Sequence, residues 1–257
     1  MQSLPAERKA VLFSTGGVRL ALRLSQVREI VAADAPGAEV TVRGGAVPAV
    51  HVAGVLGLPP GRSRFALVIE AIPAQALCVE SLHGIVDLAD AEVFQLPART
   101  VLPQPAPFAG AVVSKGEVAL ELSLPALAAG SRAPAGAVAL PALAPPADRE
   151  LLFARAGRVY AAPIGLLVHV FEAARIFPVP LAPAAHVGLL YHGRALHPVF
   201  DVAALFGAEA PAEGRTVLLL DAGGTQVGVV AERVLGVGES RAGPEVVRPA
   251  WDELFGG

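Results

Sequence analysis

The sequence predicts an all-β protein with minor helix, built from two tandem copies of one small aliphatic module. Three observations carry this. Short apolar runs recur along the chain, separated by Gly, Pro or charged turns, a spacing that favours small barrels or sandwiches over strand–helix–strand units. The 257 residues are 54% hydrophobic but only 5% aromatic, so Val, Leu and Ala fill the core. Four sequence blocks also recur in the same order in the two halves.

In the first half the strand-like runs are Val11–Phe13, Arg19–Leu22, Ala46–Val50, Phe65–Ile69, Ala76–Val79, Ala111–Val113 and Val118–Leu122. Helix is confined to single turns at Val52–Leu56 and Val202–Phe206. Cys78, the only cysteine, lies in an apolar run and reads as a buried small hydrophobe, which removes disulfides and cysteine metal sites from consideration.

The repeat begins with Phe13, Gly17, Ala21 and Leu24, which match Phe153, Gly157, Ala161 and Ile164 at an offset of 140. The block from Pro48 to Gly57 matches Pro198 to Gly207 at an offset of 150, so the second copy carries ten more residues in between. Arg64 to Glu70 then lies on Arg215 to Asp221, and Val79 to Ile85 on Ala231 to Val237. The boundaries that follow are 8–130 for the first copy, 131–148 for a linker and 149–257 for the second copy. Pro134, Pro141, Pro145 and Pro146 oppose helix and central strand in the linker, whose Val138, Leu140 and Leu143 remain available to dock on a barrel.

Charged residues are 17% and the net charge is −3, which leaves no basic face for nucleic acid and no polybasic patch for lipid. No apolar run of roughly 18 residues escapes Pro, Gly or charge, so no membrane insertion is expected. The polar stretch Met1 to Ala10 lacks a signal-peptide core, and a cytoplasmic protein is expected. Phosphate-loop, dinucleotide and nucleophile-elbow patterns do not occur. His186, His192 and His197 are close in sequence but fit no metal-ligand spacing. No catalytic, cofactor or metal residues are therefore expected.

Several short motifs resemble the chemotaxis coupling protein family, CheW. Val27-Arg28-Glu29-Ile30 is similar to its V-x-E-I segment, and Arg43-Gly44 through Pro48 to His51 to its R-G-x-x-x-P-x-x-D block, with His51 at the Asp position. Val79-Glu80 with Gly84 resembles its V-D-x-x-x-G turn, and Pro107 to Gly110 with Val118 to Leu122 its closing hairpin. The resemblance implies two five-stranded SH3-like barrels per module and a non-enzymatic adaptor. Its implied partners are the regulatory domain of a CheA-type histidine kinase, the cytoplasmic tip of a chemoreceptor and other CheW-like domains. It also implies that Val27, Glu29 and Arg43 bind protein, Glu29 and Arg43 acting as a charged pair beside exposed aliphatics. In the second copy His169 takes the place of Glu29, and Arg194 stands displaced by one position from that of Arg43.

The copies depart from the family pattern. The first is short between Ile30 and Arg43, and the second is expected to lack its final strands, leaving an edge that the linker, the N-terminus or a partner strand must cover. These departures motivate an alternative, a diverged adaptor recruited to another bacterial assembly, such as one for polarity or motility, without receptor binding. An enzyme or small-molecule binder would instead need a deep pocket with converging polar groups.

Overall fold

The computed structural model describes residues 8–43, 45–70, 73–97, 100, 102, 104–129, 142–145, 147–209, 216–239 and 246–255. The Val138 and Leu140 of the linker, and Pro134, Pro141, Pro146 and Arg215, lie outside them. The chain divides into two compact units, built mainly of residues up to 134 and from 135 onward.

In the first unit β1 (Lys9–Thr15) and β2 (Val18–Arg23) form a hairpin, followed by β3 (Val27–Ala32), β4 (Glu39–Val42), β5 (Gly45–His51), the single turn α1 (Val52–Val55), β6 (Phe65–Ile69) and β7 (Gln75–Val79). Then come β8 (Ser81–Asp87), β9 (Glu92–Phe94), β10 (Phe108–Ser114), β11 (Glu117–Leu122) and α2 (Leu124–Ala129). Two sheets result, ordered β8-β1-β2-β11-β10-β9 and β3-β6-β7-β5-β4. The tight β1–β2 turn works because Gly16 and Gly17 both adopt positive φ, 55° and 78°, where a Cβ is costly. Alternation along β1 and β2 buries Val11, Phe13, Leu20 and Leu22. In β6 and β7 the apolar run is continuous, and Ala66 to Ile69 and Ala76 to Val79 are all buried.

The second unit repeats this plan as β12 (Arg149–Arg155), β13 (Arg158–Pro163), β14 (Leu167–Phe171), β15 (Ile176–Phe177), β16 (His186–His192), β17 (Ala195–Phe200), α3 (Val202–Leu205), β18 (Thr216–Ala222), β19 (Thr225–Ala231), β20 (Arg233–Glu239), β21 (Val246–Val247) and α4 (Trp251–Phe255). Its sheets are β20-β12-β13-β21 and β14-β18-β19-β17-β16-β15. The duplication extends to register. Phe13 faces Leu20 as Phe153 faces Tyr160. Register shifts at Leu12/Phe13 and Val27/Glu29 recur at Leu152/Phe153 and Leu167/His169.

Strand numbers depart from five per sheet. The ten extra residues of the second copy contain β15, which adds a sixth strand beside β16. In the first unit β9 adds a sixth strand beside β10. Among the described residues the second unit has no counterpart of β9 or β10. Its last strand is reduced rather than absent: β21 pairs parallel with β13 at Val247–Tyr160, as β11 pairs with β2 at Leu120–Leu20. The helical turn α4 then follows as α2 follows β11.

The linker covers part of this edge. Counting from those parallel pairs, Pro249 stands where Leu122 stands in the first unit. Leu122 pairs antiparallel with Phe108 of β10, and Pro249 forms an antiparallel bridge with Leu143. The Ala144 amide donates to the Arg248 carbonyl (2.7 Å) and the Ala250 amide to the Ala142 carbonyl (2.9 Å). The Leu143 side chain stays 66% exposed, so backbone pairing rather than apolar docking holds this segment.

The C-terminal turn closes the second core. Trp251 is 3% exposed, and its indole N–H donates to the Ala161 carbonyl of β13 (3.0 Å). Its ring lies 6.4 Å from that of Phe153, which stacks on Tyr160 at 5.7 Å. Phe255 packs on Phe200 with centroids 4.9 Å apart.

Candidate protein-binding site

In the first unit the strand β3 carries the predicted segment. Val27 is half-buried opposite Ile69, and the register shift after it sets Arg28 aside before Glu29 meets Val68. A bulge of this kind re-aims side chains at a sheet edge. Arg28 is exposed and donates from Nη2 to Glu29 Oε1 (3.1 Å). Ile30 is 39% exposed beside them. Arg43 follows β4 in the turn to β5, exposed. The expected pairing of Glu29 with Arg43 is thus not the one made: adjacent Arg28 reaches the carboxylate, and among the described residues Arg43 has no ion-pair partner.

In the second unit His169 occupies the place of Glu29, opposite Leu219 on β18. Its ring lies 4.4 Å from Phe171 and stacks at 5.5 Å on His192, which meets Phe171 edge-on at 4.7 Å. Arg194 stands two residues past His192, exposed in the β16–β17 turn at φ 61°. The predicted residues thus lie on β3 or β14 and in the β4–β5 or β16–β17 turn, and the His169–His192 contact brings strand and hairpin together in the second unit. Sequence reasoning missed Phe171 and His192. The register Pro48–Glu39 and Pro198–Leu189 puts His192 at the place of Val42, a weak signal because strand-end positions tolerate many residues.

Several other polar groups are tied into structural pairs. Arg23 donates from Nη2 to Glu121 Oε2 (3.0 Å), which raises the Arg23 pKa. Arg248 donates to Glu150, which is buried at the base of β12. Burial pushes the Cys78 thiol up and holds it inert. His186 is 6% exposed, has no partner at either ring nitrogen, and burial lowers its pKa to about 4. Among the described residues no three His, Cys, Asp or Glu side chains gather as metal ligands, and no helix is long and apolar enough to cross a membrane.

The model of the CheW-like domain matches the chain twice, over residues 9–131 and 150–243. The chain belongs to the CheW-like family. Its two CheW-like domains stand in tandem, with the SH3-like barrel fold of that family. Among solved structures, the scaffolding protein TtCheW from Thermoanaerobacter tengcongensis is similar, at 18% identity and a TM-score of 0.39, over 47% of this chain and 92% of that one. No curated protein matches the chain.

One departure from the CheW-like pattern now has a physical account. At the Asp position of the R-G block the second module keeps Asp201. Asp201 accepts from Arg155 Nη2 (2.5 Å) and caps α3 by accepting the Ala203 amide (3.0 Å). Arg155 and Asp201 are both buried, and Glu232 stands 3.7 Å from the guanidinium. In the first module the corresponding residues are Thr15, His51 and Glu80. Glu80 accepts from the Thr15 hydroxyl (3.4 Å) and the Gly16 amide (3.0 Å), while His51 is exposed and caps nothing. The two residues differ together between the modules, and loss of Arg155 alone would leave the buried Asp201 carboxylate without its guanidinium.

Proposed function

We propose that the chain is a non-enzymatic tandem adaptor that couples a CheA-type histidine kinase to the cytoplasmic tip of a chemoreceptor in the cytoplasm, or joins copies of these in an array with other CheW-like domains. The observation that carries the reading is the duplicated edge: β3 and β14 carry the same register shift, Val27 and Glu29 stand half-buried and His169 exposed on them, and in the second module His169 stacks on His192 of the hairpin that bears Arg194. An edge with exposed aliphatics and a few charges suits protein contact, where apolar burial supplies affinity and charge supplies register. The limits 8–130 and 149–257, with 131–148 as linker, belong to this proposal.

The test is capture by immobilised kinase regulatory domain and, separately, by a receptor tip. Wild-type chain binds at least one. Val27→Asp and Glu29→Arg weaken capture through the first module, and His169→Glu and Arg194→Glu through the second. Absence of binding to both baits removes the chemosensory role.

A second reading, an adaptor recruited to another assembly such as one for polarity or motility, is favoured by the stacked imidazoles His169 and His192 where the first module has Glu29 and Val42. Binding to neither bait, together with retained folding of both modules, selects it.

A further inference from the structure

In the second module two histidines from distant parts of one sheet meet at the surface. β14 and β16 have β18, β19 and β17 between them, and the curl of the sheet brings His169 and His192 together. We propose that this pair is a two-imidazole site for a divalent late transition metal ion of the Cu²⁺, Ni²⁺ and Zn²⁺ class.

The spacing suits one shared ion. The rings lie within 17° of parallel, with centroids 5.5 Å apart. With a metal–nitrogen bond of about 2.1 Å, an ion lies about 3.2 Å from each imidazole centre, so two centres up to about 6 Å apart can share it. Both residues are exposed, so an ion reaches them without opening the core. The pair is also held in place. The Phe171 ring lies 4.4 Å from that of His169 and 4.7 Å from that of His192, which restricts the rotation of both. The buried His197 ring donates from Nε2 to the His192 carbonyl (3.2 Å) and ties down its backbone. Side chains ordered before binding lose less entropy when the ligand arrives.

The surroundings select the class of ion. Among the described residues no third His, Cys, Asp or Glu joins the pair, and Arg194 follows two residues after His192. Mg²⁺ and Ca²⁺ need oxygen ligands and are not held there, whereas late transition ions bind imidazole nitrogen. Two protein ligands leave the remaining coordination positions to water. The first module has Glu29 and Val42 at these places and cannot chelate in this way. The site is independent of the adaptor reading, since an ion can bind whether or not either bait is captured.

The experiment titrates the full chain with Cu²⁺ by calorimetry and counts the bound imidazoles by pulsed electron paramagnetic resonance at one equivalent. The wild type should bind one ion through two imidazoles. His169→Gln and His192→Gln should each leave a one-imidazole signal and lower affinity at least about tenfold, because the second imidazole adds as an intramolecular ligand. His51→Gln and His83→Gln, at the exposed histidines of the first module, should change neither. All four positions are exposed, and an unchanged Trp251 unfolding midpoint verifies that the second module stays folded. No binding or a one-imidazole signal in the wild type, a smaller loss in His169→Gln or His192→Gln, or an equal loss in His51→Gln or His83→Gln overturns the proposal.

Discussion

The exchange of Arg155 and Asp201 for Thr15 and His51 can be replayed in the second module. The variants are Arg155→Thr, Asp201→His and the two together. The Arg155 and Asp201 side chains are 3% and 7% exposed, so removing one partner strands a buried charge, at a cost of about 3–5 kcal/mol. Asp201→His also removes the cap on the Ala203 amide, about 1 kcal/mol, while Glu232 at 3.7 Å returns part of the loss to Arg155. The double variant strands no charge. It carries the first module's residue types, in which Glu80 accepts the threonine hydroxyl, but His51 is exposed there and position 201 is buried, so its cost is the lost cap, some packing and the burial of a neutral imidazole, about 2–4 kcal/mol. Coupling between the two positions is then at least about 2 kcal/mol. Trp251, the chain's only tryptophan, is buried in the second module, so its fluorescence during guanidinium unfolding follows that module. If the double variant costs the sum of the singles to within about 0.5 kcal/mol, the paired-exchange argument is wrong.

Three further outcomes are expected. His186 titrates at about 4 in the fold against 6.5 unfolded, so between these values the unfolded chain binds the extra proton and stability falls as pH falls, by about 3 kcal/mol in all. His186→Phe should flatten the pH dependence of the Trp251 unfolding midpoint across that window, and an unchanged slope would assign it to other groups. Gly188 has φ 153°, and a Cβ there would lie 2.3 Å from the Phe177 carbonyl oxygen, so Gly188→Ala should cost about 3 kcal/mol. Gly165→Ala, with open space around it, should stay within about 0.5 kcal/mol in the same denaturation assay. A chain ending at Ala250 loses the Trp251 and Phe255 packing, about 3–5 kcal/mol for the tryptophan alone. Thermal circular dichroism should then lose the second module's transition and keep the first's.

A buried aliphatic stripe makes β1, β2, β6 and β7 legible, and β5 is legible from its apolar run although none of its residues is buried. The missed strands β3, β4 and β8 have few or no buried residues, and charged and small residues interrupt their pattern. The repeat was legible because offsets of 140 and 150 preserve glycine turns and proline entries. The ends were not. A two-residue strand such as β21 carries no period, and its place is set by the parallel pair with Tyr160 and by linker residues remote in sequence. At the candidate edge the sequence located Val27, Glu29 and His169 by motif order. It did not reveal that Arg28 takes Glu29's carboxylate, nor that His192 stacks on His169, since both follow from the β-bulge and strand register.

The two modules diverge by different rules inside and outside. Inside, changes come in compensating sets. Arg23 pairs with Glu121, and at the place of Glu121 the second module has Arg248, whose acid is Glu150 on β12 instead of a residue on β13. The charge is reversed and the pair survives. Likewise, among the described residues the second module's own run has no counterpart of the start of β10, and linker residues 142–144 supply its backbone partners at the same register. Outside, exchanges among the described residues stand singly: Glu29 gives way to His169, Val42 to His192 and Arg19 to Val159. A buried polar group left unpaired costs several kcal/mol, whereas an exposed exchange costs a few tenths, so interior identity is constrained by folding and exterior identity is open to selection by partners. On the proposed reading, the duplication therefore yields one scaffold with two unlike faces, and the two modules should be captured by different baits.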